Sequence, residues 1–315
     1  MIGPQTGDMA KFVATSALPQ PVAEVFDWHT RPGAMRRLTP PWEPVRIRQE
    51  AADLTEGSRA VLELDVPGPL APRWVARHTG YRPPYEFVDV QEHGPFRRWE
   101  HHHRFEPGPG GGTTMIDEVE YDLPLLGLVK PLVEARLHRM FRYRHEQVRA
   151  DLAAHDRLGP YSPLRVAVTG PEEPIGLALK ALLSTAGHQV VTDRADAVID
   201  LDACTVTRGE RTVRLRYPRG EPVRRRLAVF AAGTDPVEWV TLEDLIGLYH
   251  FALIRSEVSG EVRATAPQTV PLREFTRLAG APRATPPCGG PAPRGDYVFR
   301  YNALVPALHQ LTGHQ

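Results

Sequence analysis

Lysine is almost missing from this 315-residue chain, occurring only at Lys11, Lys130 and Lys180, so arginine carries nearly all of the basic charge. Any mechanism that needs a lysine amine has three candidates. Cysteine is scarcer still: Cys204 and Cys288 build neither a disulfide framework nor a metal-binding spacing. No apolar run reaches the roughly 18 residues that span a bilayer, so no membrane insertion is expected. The stretch Met1–Phe12 lacks the apolar core of a secretory signal, which makes the cytoplasm the expected compartment. An excess of either charge is also absent, with 38 basic and 38 acidic residues. Nucleic acid and anionic membrane surfaces are therefore not expected partners. There is no internal repeat. No tyrosine is followed four positions later by lysine, and the nearest approach is Tyr161 with Arg165.

The residues that are present describe a globular protein. The hydrophobic share of 42% and charged share of 24% are those of a folded soluble chain. Its length suits two domains better than one. A turn-rich segment from His155 to Pro163 follows a long helical pattern and marks the boundary. The expected domains are 9–157 and 163–315. A Pro- and Gly-rich stretch from Pro282 to Gly295 reads as an exposed loop.

In the first domain, residues 10–18 read as a strand, and Pro21 opens a helix with Val22, Val25 and Phe26 on one face. Strands are expected near 45–50, 59–66, 73–81, 86–91, 97–105 and 113–121, separated by Pro- and Gly-rich turns. A helix over about 131–155 carries Val133, Leu137, Met140, Phe141, Val148 and Leu152 at helical spacing. This order predicts an α+β helix-grip fold, a curved antiparallel sheet around a C-terminal helix with room for an apolar ligand. Alternation assigns the inner face. Trp99, His101, His103 and Phe105 share one face of their strand; Trp74, Ala76 and His78 share another; Met115, Asp117, Val119 and Tyr121 share a third. The expected cavity residues are Trp74, His78, Trp99, His101, His103, Met115, Asp117 and Tyr121. His101 and His103 point the same way about 7 Å apart. With Asp117 they are the candidate acid/base groups for a bound carbonyl compound. No metal site is expected, because spacing places no third ligand beside the two histidines.

The segments His78-Thr-Gly-Tyr81 to Phe87, Trp99-Glu-His-His-His-Arg-Phe105 and Asp117-Glu-Val-Glu-Tyr121 resemble the START-like (SRPBCC) cyclase and lipid-transport superfamily. More closely, they resemble the START-like domain fused ahead of some bacterial NAD-dependent epimerase-like proteins. The resemblance covers residues 10–155 and implies the helix-grip fold. The superfamily includes carriers, ligand sensors and aromatic-polyketide cyclases.

The second domain opens with an apolar strand, Leu164–Thr169, then Gly170-Pro-Glu-Glu-Pro-Ile-Gly176 and a helix carrying Leu179, Leu182 and Leu183. A further strand follows at Gln189–Thr192. Strand, glycine turn, helix, strand is the order of a nucleotide-binding βαβ unit. Thr241 and Asp244 form a capping-box pattern. The domain resembles the extended short-chain dehydrogenase/epimerase family at 163–205 and 237–312, which implies an α/β Rossmann-like fold. Two departures stand out. Glu173 occupies the place of the glycine that lets backbone approach a pyrophosphate, and Pro174 offers no amide hydrogen. Only Ala195 and Asp196 separate Val190–Arg194 from Ala197–Leu201, so the parallel sheet is expected to be shortened and the block holding the family's catalytic Tyr/Lys pair to be missing. Glu172 and Glu173 are expected to cap the helix terminus themselves. No cofactor is expected, although residual NAD(P) binding through Gly170, Gly176 and Arg194, aided by Arg224–Arg226, stays open. The leading expectation is a binding module for a small hydrophobic or aromatic molecule. A cyclase or dehydratase and an NAD(P)-dependent epimerase-like oxidoreductase are the alternatives. The sequence leaves the oligomeric state open.

Overall fold

The computed structural model describes residues 9–64, 72–123, 126–219, 222–223, 229–282 and 297–312. The chain divides into two compact units, Met1–Leu152 and Ala153–Gln315.

In the first unit, β1 (Ala10–Leu18) leads into α1 (Val22–Thr30) and the one-turn α2 (Ala34–Arg37). Six strands follow: β2 (Val45–Gln49), β3 (Arg59–Leu64), β4 (Arg73–Arg82), β5 (Glu86–His93), β6 (Arg98–Pro107) and β7 (Thr113–Asp122). Helix α3 (Leu126–Leu158) comes next, and the unit ends within it at Leu152. The strands form one antiparallel sheet in the order β1-β7-β6-β5-β4-β3-β2. Alternation sets its inner face. In β7, Thr113, Met115, Asp117, Val119 and Tyr121 are buried, and every residue between them is partly exposed. Register shifts in the β4–β5 pairing, at Val75/Ala76 and His78/Gly80, bend the sheet. Helix α3 lays Leu137, Phe141, His145, Val148 and Leu152 against that face, a stripe with intervals of three or four residues.

Two details differ from the sequence expectation. The short α2 follows Gly33, whose φ of 85° suits glycine, and four residues are too few to show a helical period. Helix α3 starts at Leu126 rather than 131, and Pro131 lies within it. A proline near a helix start gives up one backbone hydrogen bond, and the helix continues through it.

The second unit contains β8 (Arg165–Thr169), α4 (Leu177–Thr185), β9 (Gln189–Val191), β10 (Ala197–Asp200), β11 (Thr205–Arg208) and β12 (Arg211–Arg216). It continues with β13 (Val229–Ala231), β14 (Trp239–Thr241), α5 (Leu242–Ile254), β15 (Gly260–Arg263), α6 (Leu272–Ala279) and α7 (Leu304–Thr312). Its main sheet, in the order β15-β12-β11-β10-β8-β9, is mixed, which corrects the expected shortened parallel sheet. Pairings β8–β9, β8–β10 and β12–β15 are parallel, whereas β10–β11 and β11–β12 are antiparallel. The cause is loop length. Gly209 and Glu210 alone join β11 to β12, and a two-residue link can only make a hairpin. Gly209 has φ 58°, as such turns require. The signal was legible as Thr-Val-Thr-Arg-Gly-Glu-Arg-Thr-Val-Arg, alternation on both sides of a glycine turn. Strands β9 and β10 flank β8 on opposite sides, joined by residues 192–196. So short a crossover works because β9 is only three residues long.

Helix α5 begins as expected. The Thr241 hydroxyl accepts from the Asp244 amide (3.1 Å) and donates to its Oδ2 (2.8 Å). The same carboxylate accepts from the amides of Arg300 and Tyr301, tying the C-terminal segment to the helix start. Among the described residues, no helix is long and apolar enough to cross a membrane.

Candidate functional site

A cavity of about 710 Å³ lies in the first unit between the sheet, α2 with its flanking segments, and α3. Ala60, Leu62 and Leu64 of β3, Trp74 and Ala76 of β4, and Phe87 of β5 give it an apolar floor. Ala34, Met35 and Leu38 form one wall, and Val133, Leu137 and Met140 of α3 another. Trp74 and Trp99 meet edge to face with ring centres 5.0 Å apart.

Strand register concentrates the polar groups at one place. Across β5, β6 and β7, Asp89 faces His101 and His103 faces Asp117, so two carboxylates and two imidazoles alternate on one face. The contacts run in both directions. Asp117 Oδ1 lies 2.9 Å from His101 Nε2 and 2.8 Å from His103 Nδ1. Asp89 Oδ2 lies 3.5 Å from His101 Nδ1 and 3.1 Å from His103 Nε2. Helix α3 adds His145, whose Nε2 is 2.7 Å from Asp117 Oδ2. The ring of Phe87 stacks on His103 at 4.0 Å.

Burial alone pushes both carboxyl groups up, but the hydrogen bonds and charges of the facing histidines win and hold Asp89 and Asp117 well below the usual carboxylate range. For His101 burial pushes the other way, and its bonds to Asp117 and Asp89 win, raising it above the ordinary imidazole value. Burial dominates at His78 and lowers it against the pull of Asp89. A backbone hydrogen bond with Val88 pulls the same way as Asp89.

His29, also on the cavity wall, is pushed by burial from 6.5 down to about 4. Its Nδ1–H donates to the Val25 carbonyl at 2.8 Å. His103 and His145 push it further down, while the Val25 bond and Asp117 pull it up. The folded protein therefore keeps this ring neutral where the unfolded chain protonates. Its contribution to stability is complete above pH 6.5 and falls away toward pH 4, by about 3 kcal/mol. His29→Leu should accordingly flatten the acid side of a melting-temperature profile between pH 6.5 and 4. Parallel profiles for the two proteins would remove His29 as the cause.

Of the eight expected cavity residues, Trp74, His78, Trp99, His101 and His103 line the space. Met115, Asp117 and Tyr121 face the same side of the sheet but lie behind the wall. Met115 packs with Phe26, Val148 and Leu152, and Tyr121 packs with Phe12, Leu137 and Phe141. Strand β7 sits where α1 and α3 close on the sheet, so an inward side chain there meets helix and not cavity. Asp117 thus meets the histidines from behind, which corrects its expected place on the cavity wall. The expectation of no metal site also needs correction in its premise: the β5–β6 register supplies the third ligand-type group, Asp89, that spacing did not. Asp89 and His145 were missed. Their signals were an aspartate in phase with Phe87, and a histidine filling the gap between Phe141 and Val148 in the α3 stripe.

In the second unit, the turn after β8 explains both retained glycines without a ligand. Gly170 has φ 97°, and a Cβ there would lie 3.1 Å from the Asp202 amide nitrogen. A Cβ on Gly176 would come within 2.5 Å of the Pro171 carbonyl oxygen. Arg194 is exposed in the turn after β9, with φ 48°. Glu172 and Glu173 both lie in the first turn of the helical region, where a carboxylate faces the positive end of the helix. Glu172 binds Lys180 at 2.6 Å, and neither Pro171 nor Gly176 supplies a side-chain cap. Lys180, two turns into the helix region, offers a full charge where the helix end offers only a partial one. Arg224–Arg226 and nearly all of the Pro282–Gly295 stretch lie outside the described residues.

Residues 18–146 match the family described as polyketide cyclase / dehydrase and lipid transport. No curated protein matches the chain. A nucleoside-diphosphate sugar epimerase from Corynebacterium glutamicum is structurally similar over 96% of this chain and 90% of its own, with a TM-score of 0.76 and 23% identity. That likeness shows a shared fold. The Zhui aromatase/cyclase from Streptomyces sp. R1128 aligns over 47% of this chain and 96% of its own, with a TM-score of 0.37 and 16% identity. A protein from Thermus thermophilus aligns over 45% and 98%, with a TM-score of 0.35 and 20% identity.

Proposed function

We propose that the first unit binds a small hydrophobic or aromatic molecule in its cavity, and that the second unit is a non-catalytic companion. The cavity carries this reading: about 710 Å³ of largely apolar space with a few converging polar groups, within the size range of small-molecule sites. The match of residues 18–146 to the polyketide cyclase / dehydrase and lipid transport family supports hydrophobic ligand binding or a cyclase-type role.

The whole chain titrated with 2-naphthol, and separately with a medium-chain fatty acid, should show quenching of tryptophan emission, since Trp74 and Trp99 line the cavity. At a hundredfold excess over Kd, the bound probe should stabilise the protein by about 2.7 kcal/mol. Ala76→Trp, which fills the floor, should abolish the effect while leaving the protein folded. Absence of any shift with both probes, or an equal shift in the filled variant, would defeat the assignment.

A cyclase or dehydratase reading is favoured by His101 and His103 standing on the wall of the same cavity. An NAD(P)-dependent role for the second unit is disfavoured by Glu173 in the glycine turn and by the lack of a Tyr/Lys pair. Fluorescence titration with NADH and NADPH separates these readings, because tight binding of either would overturn the companion role.

A further inference from the structure

We propose that Asp89, His101 and His103 form a binding site for one divalent first-row transition metal ion, with an open coordination position facing the cavity. Each of the three offers one ligand atom, and these atoms all lie within 4.8 Å of one another. Asp89 Oδ2 is 3.5 Å from His101 Nδ1 and 3.1 Å from His103 Nε2. Metal–ligand bonds of about 2.0–2.1 Å place tetrahedral ligand atoms about 3.3 Å apart. The two separations from Asp89 bracket that value, and the third, between the two histidine nitrogens, is at most 4.8 Å, so the imidazoles close on the ion by side-chain rotation.

The arrangement behind the three groups points the same way. Metal-binding histidines commonly donate their second N–H to a carboxylate, which fixes the tautomer and aims the other nitrogen at the ion. Here a single oxygen, Asp117 Oδ1, meets both far nitrogens, His101 Nε2 at 2.9 Å and His103 Nδ1 at 2.8 Å. Asp117 is itself held by His145 at 2.7 Å. The ligand-type groups line the cavity and Asp117 does not, so inner and outer roles are spatially separate. Two imidazole nitrogens and one carboxylate oxygen leave positions for water or a ligand oxygen, the pattern of catalytic rather than structural sites. The ion would bind a carbonyl or hydroxyl oxygen of an otherwise apolar molecule. The metal site itself does not depend on any such molecule binding.

The test uses the whole chain, stripped with a chelator and titrated with Zn2+ by calorimetry and with Co2+ by visible absorption. One ion per chain is expected, with a tetrahedral or five-coordinate Co2+ spectrum. Asp89→Asn and His103→Asn should each weaken binding at least a hundredfold. Asp117→Asn should weaken it ten- to a hundredfold as an orienting partner. His102→Gln, on the opposite face of β6 beside Glu86 and Glu100, should leave it unchanged. Circular dichroism of each variant distinguishes loss of the site from loss of fold. Failure to take up either ion, or uptake insensitive to Asp89→Asn and His103→Asn in folded proteins, would show that the cluster is a hydrogen-bonded network only. Failure of the naphthol experiment would leave this result untouched.

Discussion

Asp117→Ala should destabilise the first unit by about 3–5 kcal/mol, the range for removing one partner from a buried ionic group. Three imidazoles converge on this one carboxylate from β6 and α3, and its side chain is 9% exposed, so water replaces little of what is lost. Without it the His101 and His103 rings keep only the more distant Asp89, and His145 loses its partner. Asp117→Asn, which keeps the shape and one acceptor, should cost markedly less. Urea unfolding followed by tryptophan emission measures both, since four of the five tryptophans lie in the first unit. A cost below about 1 kcal/mol for the alanine variant would mean that the cluster relaxes or hydrates, and that Asp117 is not its organising charge.

Arg37→Ala should be comparably damaging. Arg37 grips Asp151 with two parallel bonds, Nε to Oδ2 at 2.9 Å and Nη2 to Oδ1 at 2.6 Å, and both side chains are 4% exposed. Gln147 adds a third bond to Oδ1 at 2.8 Å. The pair fastens α2 to α3, and α2 supplies Ala34 and Met35 to the cavity wall. Removing the guanidinium strands a buried carboxylate, at about 3–5 kcal/mol. It should also loosen the wall and weaken binding of the naphthol probe. Replacing both residues together, Arg37→Met with Asp151→Leu, should recover most of the stability, because two desolvated charges are replaced by packing. A double variant no more stable than the single one would show that the pair acts through geometry that apolar side chains cannot reproduce.

Neither residue was conspicuous in the sequence. Arg37 lies in a helix too short to show a period, and Asp151 looks like one of many charges on a long helix. Their importance comes from a contact 114 positions apart in the chain. The β11–β12 hairpin shows the opposite situation, since its glycine turn and flanking alternation were visible locally. A parallel sheet was nonetheless expected from the resemblance of β8, α4 and β9 to a nucleotide-binding unit. Two residues between strands outweigh that resemblance, because they cannot carry the chain back to a parallel start.

The sequence by itself determined the faces of this protein. Period-two alternation put His101 and His103 inward with Trp99 and Phe105, and helical spacing set the inner stripe of α3. The near absence of lysine removed the Tyr/Lys pair from the second unit before any fold was known. Tertiary structure alone decided which inward residues meet. A strand's period says which side a residue takes, but cross-strand neighbours depend on register, which turn lengths and bulges set. Register brought Asp89 beside the two histidines, α3 brought His145 to Asp117, and the closing helices covered Met115 and Tyr121 while leaving Trp74 and Trp99 on open space.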